Sequence, residues 1–270
     1  MKWKEALGPQ VMLTYNRHEK NIGGMANIVY CLNAATGKFV WSLGDDDPIE
    51  KGTLSYLLTT LRKREDLTLL LLNGYGRDVN TNKIVKDRWF ESDSDEPRIN
   101  SAREFQYFLT KNMGGVLFIS SVVYRTEHVK NALASWPDSA KNLASQAYWV
   151  AFCAVHGSFI VTPKLYTECA MGIGFTDKDP QWMFKMAFMG IPEVYLKLMK
   201  VGFSRRFCFS MVLENFRSLN GWRILLGGFK RWFGFAAKGF IFYLSCIAGA
   251  IWNMFHLQHA SELHREVEHG

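Results

Sequence analysis

The chain has no two cysteines close enough in sequence to suggest a zinc knuckle or a redox pair. Its five cysteines (Cys31, Cys153, Cys169, Cys208, Cys246) are odd in number and scattered, with no Cys-x-x-Cys. Structural disulfides and a zinc site are therefore disfavoured, and a reducing compartment is expected. The first residues, Met-Lys-Trp-Lys-Glu-Ala-Leu, lack the long apolar core of a secretion signal, so secretion is not expected. There is no P-loop, no Gly-x-Gly-x-x-Gly after a strand and no Gly-x-Ser-x-Gly elbow, which argues against the chemistries those motifs carry. Internal repeats and low-complexity tracts are also absent.

Acid is scarce in one place. Between Lys197 and Lys238 nine basic residues face a single acid, Glu214. The formal net charge of the whole chain is +7, so this stretch holds all of the excess. Residues 239–257 contain no Asp, Glu, Lys or Arg. Nineteen such residues approach the length needed to cross a hydrocarbon core, although Asn253 and His256 leave a half-immersed or buried helix equally open. Cations interleaved with Trp, Phe and Leu over 203–257 suit nucleic acid or an anionic bilayer. The uncharged run that follows favours the bilayer, and nucleic acid is not expected as a partner.

What is present in the first half is an alternation of strands and helices. Residues 11–15 are expected as a strand, 21–35 as a helix with Ile28, Cys31, Leu32 and Ala35 on one face, and 39–43 as a strand. Leu54, Leu57, Leu58 and Leu61 mark a second helix, and the Leu-rich run 66–73 a strand covered on both faces. Residues 74–100 are expected as a long polar loop. A helix over 101–110, a strand over 115–124, a helix over 143–156 and a short strand over 159–162 complete an α/β layered fold. Two units are expected, a domain over 1–172 and a helical, basic-aromatic, membrane-associating region over 173–270.

The most informative stretch is Gly37 to Ile49, where a strand runs into Asp45, Asp46 and Asp47. Adjacent carboxylates repel, and at a strand end in an α/β sheet a hard divalent cation such as Mg²⁺ or Mn²⁺ holding a diphosphate would resolve that repulsion. A solvated acidic turn is the alternative. Other candidates carry weaker signals: His156 ends a helix, and His259, Glu262, His264 and His269 lack metal-site spacing and suit a solvated tail.

The order Arg17-His-Glu-x-Asn21-Ile-Gly23, then Asn27, then Ala34-Ala-x-Gly37-x-Phe-Val-Trp-x-Leu-Gly-Asp-Asp-Asp47 resembles the sugar-nucleotide half of family-2 glycosyltransferases, most closely the abequosyltransferase-like branch. The stretch Leu117 to Arg125 also resembles that branch. The resemblance covers roughly residues 11–170. It implies a GT-A fold (a Rossmann-like mixed sheet), a nucleoside-diphosphate sugar donor, a bridging Mg²⁺ or Mn²⁺ and inverting transfer to a saccharide or polyprenyl-linked acceptor in surface polysaccharide or O-antigen synthesis. By position it puts the metal on Asp46 and Asp47 and the diphosphate near Asp45, with Asn21, Gly23 and Asn27 shaping the nucleotide-sugar side. Two departures stand out. The amino-terminal nucleotide-binding strands of the family have no counterpart, which leaves open a non-catalytic remnant or a membrane-bound partner protein. The Glu-Asp pair of the acceptor half is also absent, leaving Asp138 as the nearest catalytic carboxylate, with a turn or helix-cap role as its alternative; Gln146 cannot act as a base. Another phosphate chemistry at the Asp cluster, such as nucleotidyl transfer, is the remaining rival. The expected location is the cytoplasmic face of the cell membrane, peripheral or held by one carboxy-terminal anchor.

Overall fold

The computed structural model describes residues 12–98, 102–172, 179 and 181–267, with side chains described as far as residue 255. The elements are α1 (Gly24–Ala34), β1 (Phe39–Trp41), α2 (Thr53–Lys63), β2 (Leu67–Asp78), β3 (Ile84–Lys86), α3 (Ala102–Leu117), β4 (Val122–Arg125), α4 (Thr126–Ser135), α5 (Ser145–Val155) and β5 (Ser158–Met171). Beyond these come α6 (Trp182–Lys185), a π-helical turn (Met186–Gly190), α7 (Ile191–Leu198), α8 (Arg205–Ser218) and α9 (Gly221–Val267).

The five strands form one mixed sheet in the order β1-β4-β2-β3, with β5 pairing β2 in parallel. β2 is the spine because Leu67, Leu69, Leu70, Leu71 and Leu72 are all fully buried. Alternation divides them: Leu69 and Leu71 join Val122, Tyr124, Phe159 and Val161 on one face. Leu70 and Leu72 join Val123, Ile160 and Leu57 of α2 on the other. Helices thus cover both faces, as a near-continuous hydrophobic run requires. The first core continues without a break through Phe188, Tyr195 and Val212 to Ala236 and Ala250, so the sheet and the helical tail share one interior.

Several expectations need correction. Residues 12–15 form no strand, because nothing among the described residues offers them a ladder; Met12, Leu13 and Tyr15 are exposed. In α1 the inward stripe is Met25, Ile28, Val29 and Leu32, with Cys31 exposed. In α2 Leu57 is buried, whereas Leu54 and Leu58 face outward. Residues 115–121 are not strand. They complete α3 and then a 3-10 turn, because Gly115 lies flush against Phe90, where a Cβ would come within 2.6 Å of the ring. The Ser121 hydroxyl closes that helix end on the carbonyl of Gly115 at 2.8 Å.

The short strand over 159–162 proves to be fourteen residues long. Its second half runs beside Gly74–Asp78, so the start of the presumed polar loop is the tail of β2. Gly74 and Gly76 permit this: a Cβ at Gly74 would sit 2.3 Å from the Thr167 carbonyl oxygen, and one at Gly76 2.4 Å from the Met171 sulfur.

Candidate functional site

The acidic loop begins where β1 ends. β1 is antiparallel to β4, with Trp41 opposite Val123. The Trp41 indole N–H donates to the Ser120 carbonyl at 2.9 Å, tying the strand end to the turn before β4. The Ser120 hydroxyl then works in both directions. It accepts from the Gly44 N–H at 2.8 Å and donates to Asp47 Oδ2 at 2.6 Å. The other Asp47 oxygen faces the Ala170 N–H at 3.4 Å. Downstream the loop is pinned along β5, with the Glu168 N–H on the Pro48 carbonyl and the Glu50 N–H on the Tyr166 carbonyl, both at 2.9 Å.

This anchoring gives the three acids different environments. Asp45 and Asp46 are exposed and Asp47 is half-buried. Burial pushes the Asp47 carboxyl above its ordinary pKa; the Ser120 hydrogen bond opposes that, and the neighbouring Asp46 and Asp45 charges add to it. The Cys169 thiol is pushed up to about 12 by burial and by the Asp47 and Asp46 charges, which puts it beside the same cluster.

Among the described residues no group of three or more His, Cys, Asp or Glu side chains is arranged around a metal position. Two carboxylate oxygens do lie close to Gly44, however. A Cβ added at Gly44 would lie 2.6 Å from Asp47 Oδ2 and 3.1 Å from Asp46 Oδ1. The glycine lets both carboxylates lean in against the backbone. Such a donor set fits Mg²⁺-like ions, which keep several waters and use one or two carboxylates together with substrate phosphates.

Asn21, Gly23 and Asn27 come together at the start of α1. The Asn21 side chain accepts from the Gly23 N–H at 2.8 Å, and the Asn27 N–H closes the first turn on the Gly23 carbonyl at 3.0 Å. Gly23 has φ of +85°, a conformation that disfavours any side chain. With His18 and Lys20 these residues line a cavity of about 310 Å³.

Asp138 sits elsewhere. It lies in a 3-10 turn (Pro137–Lys141), its exposed carboxylate paired with Lys141 at 2.7 Å. That hydrogen bond and the Lys141 charge hold its pKa below the ordinary carboxylate range. It lines a cavity of about 400 Å³ with Lys185, Glu193, Phe235 and Phe242, to which the Asp45–Asp47 loop does not contribute. His156 accompanies Lys197 and Lys200 in another hollow. The carboxy-terminal His and Glu candidates lie outside the described side chains.

No protein-family model matches the chain. Abequosyltransferase RfbV of Salmonella typhimurium is 25% identical over 118 residues, 43% of this chain and 35% of that protein. TarS residues 1–349 of S. aureus, solved in complex with UDP-GlcNAc, superposes with a TM-score of 0.50 at 15% identity. The match covers 81% of this chain and 59% of that one. The chain resembles the family-2 glycosyltransferases in sequence and fold. It spans about a third of the length of the curated glycosyltransferase relative it matches. The mixed sheet is the part of the chain that the glycosyltransferase structure shares.

The motif pointed to Asp45–Asp47 but not to what holds them. From the sequence Ser120 reads only as part of an apolar strand, and Glu168 and Cys169 lie beyond the short strand expected over 159–162. Arg77 donates to Glu168 at 2.9 Å and Tyr75 to Glu50 at 3.0 Å. Together they form a polar cluster beside the acidic loop that pattern reading could not assemble.

Proposed function

We propose that the protein is a metal-dependent, inverting glycosyltransferase. It would move a sugar from a nucleoside-diphosphate donor to a saccharide carried on a lipid, at the cytoplasmic face of a membrane, in surface polysaccharide synthesis. The observation that carries this reading is the pair of carboxylate oxygens of Asp46 and Asp47 packed against Gly44, with Asp47 held by Ser120, in a sheet matching a glycosyltransferase structure. The relatives support the class of reaction: one is an abequosyltransferase, and the other was solved with UDP-GlcNAc.

In this reading Asp46 and Asp47 would hold Mg²⁺ or Mn²⁺, with Asp45 beside the diphosphate. Bound there, the ion would supply positive charge to the departing diphosphate. Ser120 fixes the direction of Asp47. Asn21, Gly23 and Asn27 would bound the nucleotide side, where the exposed N–H groups of a helix start favour an anion. The base for the acceptor hydroxyl is not assigned to Asp138, whose carboxylate is paired with Lys141 in a cavity apart from the acidic loop.

A second reading, a membrane-bound partner without transferase activity, is favoured by one observation. β1 pairs only with β4, and its other edge has no strand against it among the described residues. Calorimetric titration with uridine, guanosine, cytidine and thymidine diphosphates, with and without Mn²⁺, separates the two. Metal-dependent binding of one diphosphate is the expected result; no binding to folded protein rejects the transferase reading.

A further inference from the structure

α9 carries two opposite faces. One is buried: Leu225, Ala236, Tyr243, Cys246 and Ala250 lie in the interior. The other is open, with Trp222, Leu226, Phe233, Ile241, Leu244, Ile251 and Phe255 between 40% and 71% exposed. On either side of a kink at Trp232, the open residues recur at the three- and four-residue spacing of a single helical face. Exposed Arg223, Lys230, Arg231 and Lys238 flank this apolar stripe, and the chain has no acid from residue 215 to 255. At its far end Phe255 and Met254 wall a cavity of about 420 Å³ with Arg205 and Arg206 of α8.

By length and composition Gly221–Phe255 could cross a membrane. Its packing argues otherwise. The Tyr243 hydroxyl donates to the Val212 carbonyl at 3.3 Å, binding α9 to α8. Gly239 and Gly228 lie so close to Phe184 that a Cβ would come within 2.4 and 2.9 Å of its ring. Gly249 lies against Leu196 of α7. Carrying α9 through a bilayer would therefore carry along α7 and α8, with Glu193, Lys197, Arg205, Arg206, Glu214 and Arg217, and charged groups are costly in hydrocarbon.

We infer that the outer face of α9 seats the protein in the plane of an anionic lipid surface, the helix lying along the interface without crossing it. The apolar stripe enters the boundary between headgroups and acyl chains, and the flanking cations meet lipid phosphates. The Arg205–Arg206 cleft continues the same face, offering guanidinium donors beside an apolar wall. Charge complementarity selects the occupant, since a second copy of the chain would bring the same cations against each other. The inference rests on the membrane part of the proposed function and adds the orientation.

Flotation of the full chain with phosphatidylglycerol–phosphatidylethanolamine vesicles, against pure phosphatidylcholine, is the test. Binding to the anionic vesicles is expected, falling about five-fold for each cation removed among Arg223, Lys230 and Arg231. The triple variant Phe233→Ser, Ile241→Ser, Ile251→Ser should lose binding about ten-fold or more while unfolding at an unchanged temperature, because the three side chains are exposed. Nitroxide labels at Phe233→Cys and Ile251→Cys, on a Cys31→Ser, Cys169→Ser background, then read depth. In-plane seating gives both labels the same shallow depth, whereas a crossing helix would separate them by about 27 Å along the normal. Separated depths overturn the seating and leave membrane docking intact. No flotation on either vesicle overturns both. No flotation, with a dimer that the triple variant dissolves, gives the face to a second copy and overturns the inference.

Discussion

The sheet and the tail share one core yet expose themselves differently. Around the acidic loop the outward groups are polar and held by named hydrogen bonds: Ser120 to Asp47, Arg77 to Glu168, Tyr75 to Glu50. Along α9 the outward groups are large apolar side chains with cations beside them, in a stretch, 215–255, that contains no acid. The first is a surface of fixed directions, suited to a small charged ligand. The second is a stripe without directional demands, suited to a fluid partner. One fold thus offers two kinds of recognition, and each can be broken without the other.

The largest expected effect is on the sheet side. Asp46→Ala should abolish Mn²⁺-dependent binding of nucleoside diphosphate in calorimetry while leaving vesicle flotation unchanged; unchanged diphosphate affinity would remove the metal role. Phe188→Ala tests whether the core is shared. The ring is fully buried and meets Phe184, Phe216, Phe240 and Tyr243. The loss should be about 3–5 kcal/mol of global stability, with sheet amides and tail amides losing hydrogen-exchange protection together. Protection retained in β2 alone would mean two separable units.

Ser120→Ala removes the hydrogen bond to Asp47 Oδ2 and the side-chain acceptor for the Gly44 N–H. A cost of about 1–3 kcal/mol is expected in denaturant titration, together with weaker Mn²⁺ binding. A cost within experimental scatter would show that the loop holds its shape without the serine.

The smallest effect is a difference in sign. Asp47 has a raised pKa in the fold, so its contribution to stability is fully present below its ordinary pKa and is lost as pH rises through the raised value. Glu168 is the reverse. Burial pushes it up, but the Tyr75 and Arg77 hydrogen bonds and the Arg77 charge outweigh that and leave its pKa lowered. Its contribution is present above the ordinary glutamate pKa and is lost as pH falls through the lowered one. Asp47→Asn should therefore flatten the stability gain on acidification, and Glu168→Gln the stability loss, in thermal unfolding followed across the acid range.

Legibility in the sequence followed the range of the interactions. α1, β1, α2, the first half of β2 and α5 could be read because each carries its own pattern within a dozen residues. The acidic loop could be read because three adjacent aspartates after a strand are informative wherever the chain goes next. The second half of β5 could not. Lys164, Thr167 and Glu168 look like loop residues until Gly74 and Gly76 are seen to make room for them. Nor could the role of Ser120, which sits 73 residues from the carboxylate it directs.

The composition of the tail already determined that it would be helical, apolar and basic. The sequence by itself likewise determined the acidic motif and its place at a strand end. Which face of α9 stays open, which carboxylate Ser120 holds and whether sheet and tail share an interior were decided only by tertiary structure. The reason is physical. Local backbone preference and hydrophobic period act between neighbours, whereas burial, a shared hydrogen bond or a shift in pKa depends on groups the chain must fold to bring together.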